Sequence, residues 1–257
     1  MSLINKVLSV ALAAAVLYSI DLYAESIPIP YSIKQPTSSS PTAARKQGAH
    51  GRHDPHANLT PESQVQVALQ HKAEGRTGEA FKTLDQAILL NQNSAELFAV
   101  RGSFYLEQNN ISDALMDFES AIKIAPDSAA ILTNRAQAYR HFGRINEALQ
   151  DLTKAIQLNP DLMAAHFNRG AIHYSSQEYA SALNDFDACI AIDPHAAGPY
   201  FNRASAKEAL GDHDGAIADL KNFLEITSNI SWKKTAQQLL DKWMAAAPAK
   251  QALKNDS

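Results

Sequence analysis

The sequence predicts an all-α solenoid, chiefly because small residues recur every 34 positions without a gap. The clearest column is alanine, at Ala80, Ala114, Ala148, Ala182 and Ala216. A second column follows seven residues later, at Ala87, Ala121, Ala155, Cys189 and Phe223. A third column of Pro126, Pro160 and Pro194 closes three of the units. Periods of this length indicate stacked repeats, since one unit cannot bury its apolar face alone.

Each repeat has the pattern of a helix hairpin. In residues 129–162, Leu132 and Ala136 lie at helical spacing, Gly143 permits a turn, and Ala148 begins a second apolar helical series. The small alanine columns allow the second helix to approach its neighbours closely. The proline column ends the hairpin because proline cannot continue a helix.

The motif residues of the second repeat resemble those of the tetratricopeptide repeat. They are Phe98, Gly102, Tyr105, Ala114, Phe118, Ala121 and Pro126. The resemblance implies a right-handed superhelix of five hairpins in residues 60–230, followed by a C-terminal capping helix. The five repeats are 61–94, 95–128, 129–162, 163–196 and 197–230.

The ends of the array carry helix signals. Thr60 is a suitable N-cap, with Pro61 at the first helical position and Glu62 near the positive end of the helix dipole. At the other end, Ser231 is predicted to cap the helix of residues 231–247. Pro248 is expected to stop that helix and leave residues 248–257 as a polar tail.

Residues 1–24 are typical of a secretory signal peptide, with Lys6 before an apolar run and the small Ala24 before a plausible cleavage site. The run is shorter than the roughly 20 apolar residues of a membrane-spanning helix. We therefore expect a periplasmic or secreted protein. Retention of the segment as an anchor is the alternative, and only then would the membrane be a partner.

Residues 25–59 are rich in proline and serine, which predicts an extended, disordered linker. Three histidines in it, His50, His53 and His56, give an alternative function, the handling of a metal ion in the cell envelope. Their spacing matches no defined metal site. A solvated spacer is favoured, so no metal and no cofactor are assigned.

Composition argues against several functions. The formal net charge is −4, and basic and acidic residues are mixed along the array, which disfavours nucleic acid as a partner. No phosphate-binding loop, nucleophile elbow or zinc-binding histidine pair is present, so we expect no enzyme. His166 and His173 align with aromatic residues of other repeats, and Cys189 stands in an alanine column, which favours packing for all three.

Arginine and aspartate form two further columns. The arginines are Arg101, Arg135, Arg169 and Arg203, and the aspartates are Asp117, Asp151, Asp185 and Asp219. The first repeat lacks both, with Val67 and Thr83 instead. Joint presence and joint absence predict that the columns pair, because a partly buried arginine needs a carboxylate to offset its desolvation.

One position before the arginines stand Asn134, Asn168 and Asn202. In tetratricopeptide proteins this phase faces the concave groove, and asparagine can hydrogen-bond a peptide backbone of any sequence. The predicted peptide-binding groove comprises Asn134, Asn168, Asn202, Gln137, Arg140, His141, Phe167, Tyr174 and Phe201. The asparagines are expected to face solvent when the groove is empty. The alternative is that they follow repeat ancestry alone.

These patterns together predict an exported adaptor. Its concave groove is expected to bind a peptide segment of a cell-envelope protein, without catalysis. A carboxylate clamp is not expected, since Val65, Ala99, Ala130 and Ala164 occupy the groove positions that would need lysine.

Overall fold

The computed structural model describes residues 60–255, with side chains through residue 246, and this part of the chain contains eleven α-helices and no strand. The helices are α1 Pro61–Ala73, α2 Thr77–Leu90, α3 Ala95–Glu107, α4 Ile111–Ile124, α5 Ala129–His141, α6 Ile145–Leu158, α7 Met163–Ser175, α8 Tyr179–Ile192, α9 Ala197–Leu210, α10 His213–Ile226 and α11 Ile230–Asn255. Two sequence predictions, the signal peptide 1–24 and the linker 25–59 with His50, His53 and His56, lie outside the described residues.

The start of the array is formed as predicted. Thr60 caps α1, because its hydroxyl accepts a hydrogen bond from the amide of Ser63 at 3.3 Å, and Pro61 is the first helical residue. Glu62 in the first turn accepts a backbone hydrogen bond and one from Thr60, which lower its pKa. The capping residue therefore fixes where the described chain enters its first helix.

The turn inside each hairpin requires a left-handed backbone conformation. The predicted turn glycines Gly75, Gly143 and Gly211 have φ angles of 75°, 82° and 84°. At the same repeat position Asn109 and Gln177 adopt φ angles of 58° and 63°. Glycine is the usual residue at such positions, and the structure shows that two other residues replace it here.

The end of the array differs from the prediction. Asn229, not Ser231, caps α11, since its side-chain oxygen accepts a hydrogen bond from the Trp232 amide at 3.1 Å. The helix then continues through Pro248 to Asn255, so the polar tail predicted from residue 248 is wrong. Residues 245–247 and 249–253 are mainly strong helix formers, and they maintain the helix on both sides of the one amide that proline lacks.

The structure forms two compact units, which divide between Gly143 and Arg144. We call residues 60–143, with α1 to α5, the N-terminal unit. Helices α1 and α2 form one hairpin and α3 and α4 the next, and α5 packs on α4. Its core contains Val65, Leu84, Leu97 and Phe104, all at most 1% exposed, between the small residues of the alanine columns.

The C-terminal unit, residues 144–255, contains α6 to α11. Helix α6 packs on α7, the α7–α8 and α9–α10 hairpins stack on each other, and α11 packs on α10. Phe186 and Cys189 are buried in one cluster, and Phe201 and Leu220 in a second that includes Trp243 of α11. The all-α fold of stacked helix hairpins, predicted from the 34-residue spacing, is confirmed. No helix among the described residues is both long and apolar enough to cross a membrane.

Candidate functional site

Arginine and aspartate pair as predicted where both lie in the same unit. Arg101 donates two hydrogen bonds to Asp117, both of 2.8 Å, and Arg203 does the same to Asp219 at 2.8 and 2.6 Å. Arg169 makes the same contact with Asp185. These bidentate pairs join the first and second helices of a hairpin, so the two columns have a structural role.

The same arginines also contact the preceding hairpin, which the sequence did not lead us to expect. The Arg101 guanidinium donates through Nη1 to Asp85 at 2.7 Å, and that of Arg203 to Asp187 at 2.7 Å. Arg169 donates instead to the Thr153 hydroxyl at 3.4 Å. The sequence contains a column that could have indicated these contacts. Its members, spaced by 34 residues, are Asp85, Glu119, Thr153 and Asp187. Each of these arginines thus connects two neighbouring second helices.

The pKa values of two of the paired carboxyl groups, those of Asp117 and Asp185, are shifted in opposite directions. Burial raises the pKa of Asp117, and the hydrogen bonds from Arg101 offset this only in part. Burial acts in the same direction on Asp185, but hydrogen bonds from His166 and Arg169 outweigh it and hold the pKa below its usual value. The additional imidazole accounts for the difference.

His166 occupies an aromatic position of the repeat, as predicted. Its Nδ1 lies 3.3 Å from Asp185 and its Nε2 lies 2.9 Å from the carbonyl oxygen of Pro160. At the equivalent position Tyr200 donates its hydroxyl to the Pro194 carbonyl. The contact with Asp185 raises the pKa of His166 against the opposing effect of burial. This histidine connects the proline turn to the hairpin.

The first helices of the N-terminal unit form a polar surface. Helix α1 packs on α3 and α3 on α5, and equivalent repeat positions lie on the same side of each helix. We call this surface the polar face, and its residues are Glu62, Lys72, Glu96, Glu107, Asn134, Gln137 and His141.

Charged groups connect α1 and α3 across the polar face. The Lys72 ammonium lies 2.5 Å from Glu107 and 4.7 Å from the centre of the Phe104 ring. At the other end of the two helices, burial and the neighbouring charge of Glu62 raise the pKa of Glu96. Three carboxyl groups stand against the Lys72 ammonium and the Arg140 guanidinium, which occupies the repeat position of Lys72 on α5, so acidic groups are in slight excess on this surface.

Helix α5 contributes amide and imidazole groups to the polar face. Asn134, Gln137 and His141 follow one another at spacings of three and four residues, which places them along one stripe of the helix. His141 is exposed and Gln137 is half-buried, as is Arg140. Asn134 is only 6% exposed, and its Nδ2 is buried without a hydrogen-bond partner among the described residues. A buried donor in this state costs about 1–3 kcal/mol.

The asparagine column does not face solvent as expected. Asn134 and Asn168 are each 6% exposed and Asn202 is fully buried. In the C-terminal unit α7 packs against α9, and the neighbouring Phe201 contacts Trp232 of α11. The column therefore lies between packed helices, and its expected exposure is wrong for all three residues.

Three aromatic residues predicted to line the groove belong to the core. Phe167 is 1% exposed and packs on Phe186, with ring centres 5.9 Å apart. Phe201 is 1% exposed and contacts Phe223 and Trp232. Tyr174 is 6% exposed, its ring packs on Tyr179, and burial raises its pKa. Their position in the repeat directs them toward the adjacent helices.

The family follows from comparison with known repeats. Four tetratricopeptide repeat models match residues 95–128, 118–150, 137–177 and 169–240. Together they cover the chain from residue 95 to residue 240 without interruption, and the chain belongs to the tetratricopeptide repeat proteins. Proteins of this family serve as scaffolds for protein–protein interaction. No curated protein matches the chain.

Solved structures of tetratricopeptide proteins have the same fold. PilF of Pseudomonas aeruginosa is 18% identical, with a TM-score of 0.66 over 75% of this chain and 87% of its own. MamA is 21% identical, with a TM-score of 0.56 over 64% and 90%. YrrB, described as a tetratricopeptide protein with an unusual peptide-binding site, is 19% identical, with a TM-score of 0.54 over 68% and 90%.

Proposed function

We propose that this protein is an exported adaptor that binds an extended peptide segment of a cell-envelope protein on its polar face. The export part rests on the signal-like residues 1–24. The binding part rests on the family, whose members bind proteins, and on the likeness to YrrB, which has a peptide-binding site. The adaptor performs no chemistry of its own.

The observation that carries the proposal is the Asn134 amide. Its Nδ2 is buried without a partner in the described part of the chain, while Gln137 and His141 on the same stripe of α5 are progressively more exposed. A peptide carbonyl that reaches this amide would satisfy a donor that has no partner in the described part of the chain. Binding would thereby recover part of the cost of burying that group.

The charges of the polar face favour a basic segment. Glu62 and Glu96 lie close enough for one charge to shift the pKa of the other, whereas Glu107 has a lysine partner. A lysine or arginine of the peptide placed between Glu62 and Glu96 would relieve their repulsion. We therefore expect bound segments to combine an extended backbone with basic side chains.

The test uses a displayed library of random linear peptides, selected on the purified protein. Peptides enriched in lysine and arginine are expected. Asn134→Leu should weaken the selected peptide about two- to tenfold, the equivalent of one ordinary hydrogen bond of about 0.5–1.5 kcal/mol. Its melting temperature should stay equal or rise, because an apolar side chain of similar shape removes the unpaired donor.

Gln86→Leu is the matched control, since it removes an exposed amide from the second helix α2. It should leave peptide affinity unchanged. Equal affinity of the parent and the Asn134 variant would contradict the proposed role of the polar face.

A further inference from the structure

A shallow cleft lies on another part of the N-terminal unit, at the ends of α2 and α4. Its volume is about 380 Å³, and it is lined by Leu89, Phe98 and Ile124, with Gln92, Ser120 and Lys123 at its edge. Leu89 is 73% exposed and Ile124 is 38% exposed. The volume is within the range of ligand sites, about 300–1,000 Å³. Adjacent exposed apolar residues of this kind mark an interaction surface.

The cleft lies close to the point where the chain enters α1. Asn91 follows α2 directly, and its side-chain amide donates to the Gln64 side chain, in the first turn of α1, at 3.3 Å. Gln92, the next residue, is at the edge of the cleft. Thr60, the first described residue, therefore lies near this cleft.

The sequence contains a matching apolar segment before that point. Residues 27–33 read Ile-Pro-Ile-Pro-Tyr-Ser-Ile and carry no charge. Alternating prolines favour the polyproline II conformation, which docks on apolar surfaces with aromatic side chains at little cost in conformational entropy. We propose that the cleft binds residues 27–33 of the same chain.

The intervening residues have sufficient length for this contact. Residues 34–59 separate the segment from the cap of α1, and a coil of this length has a root-mean-square span of about 28 Å. A short flexible tether gives an effective concentration in the millimolar range. A contact that is weak between separate molecules would thus be well populated within one chain.

The cleft is separate from the surface assigned to the adaptor function. It is formed mainly by the second helices α2 and α4, whereas the polar face is formed by first helices. Binding of residues 27–33 therefore does not depend on peptide binding at the polar face. Failure of one proposal leaves the other intact.

Disulfide trapping in the full purified chain tests the contact. The single native cysteine, Cys189, is fully buried and burial raises its pKa, so introduced thiols react without its interference. The test chain carries Ile29→Cys and Lys123→Cys. The matched control carries Ile29→Cys with Lys82→Cys, an exposed lysine of α2 that does not line the cleft.

The cleft pair should form an intramolecular disulfide about tenfold faster than the control pair, at a rate independent of protein concentration. Leu89→Asp, at an exposed position, should remove this preference while the helical circular dichroism spectrum stays unchanged. Equal rates for the two pairs would overturn the proposal. So would disulfide-linked dimers as the main product, which would assign the cleft to a second copy of the chain.

Discussion

In the N-terminal unit Gln137, on the polar face of α5, is half-buried, whereas Ser205, at the equivalent repeat position of α9 in the C-terminal unit, is fully buried. Asn202 and Ser205 on α9 are fully buried. Helices α5 and α9 are each the first helix of their own repeat. Next to Asn202 in the chain, Phe201 packs on Trp232 of α11.

This comparison shows that a position within a repeat does not by itself determine exposure. Within the asparagine column, Asn134 and Asn168 are each 6% exposed and Asn202 is fully buried. The proposal places peptide binding on the N-terminal unit. The end of the C-terminal unit stabilises the array.

The largest expected effect comes from removing the aromatic ring under α11. Phe201→Ala should lower the free energy of unfolding by about 3–5 kcal/mol, because it leaves a cavity among Phe223 and Trp232. His141→Ala, on the open surface of α5, should stay within about 0.5 kcal/mol. Chemical denaturation of both variants measures the difference. Similar values would mean that the two surfaces are equally covered.

The arginine–aspartate pairs have different neighbours in the two units, so removing the arginine should change the free energy of unfolding by different amounts. Arg101→Ala should cost about 3 kcal/mol, because it leaves the buried Asp117 without its guanidinium partner. Arg203→Ala should cost less, since the Lys207 ammonium lies 2.8 Å from Asp219 and still neutralises it. The exposed Arg76→Ala is the control and should be nearly neutral.

A double-mutant cycle between Arg101 and Asp117 should show coupling, with the double variant less destabilised than the sum of the single ones. Absence of coupling would contradict the pairing of Arg101 with Asp117. An equal loss for Arg101→Ala and Arg203→Ala would show that Lys207 contributes nothing.

The architecture could be predicted from the sequence because the repeat is dictated by local chemistry. The alanine columns, the turn glycines and the Arg101–Asp117 pairing all follow from residues within one hairpin or its neighbour. The 34-residue register contains this information. The second acidic column, with Asp85 and Asp187, is visible in the same register, but its contact with the arginines emerged only from the structure.

The groove could not be predicted to the same degree, because the register fixes the direction of a side chain but not what covers it. Phe167 and Phe201 point toward adjacent helices and are buried there. The continuation of α11 through Pro248 depended likewise on flanking helix formers, against a local stop signal. Residues beyond the local motif decided these cases.

The smallest expected effect concerns pH, and it is specific to the C-terminal unit. Asp185 raises the pKa of His166 above its unfolded value. The resulting contribution to the free energy of unfolding is fully present below the unfolded pKa of about 6.5 and is lost as pH rises through the folded pKa. His166→Tyr, which copies Tyr200, should remove that dependence. Melting temperatures recorded from about pH 5 to about pH 9, where histidine titrates, measure this dependence. If the parent and the His166→Tyr variant show the same dependence of melting temperature on pH, the contact between His166 and Asp185 is contradicted.

The central claim is that peptides bind to the N-terminal unit, and the most direct measurement is the site of photo-crosslinking. A selected library peptide with a photoreactive group is irradiated with the parent protein, and the attached residues are identified by mass spectrometry. The account predicts attachment to the first helices within residues 61–141, at the polar face. Attachment mainly to α7 and α9, within residues 163–210, would contradict it.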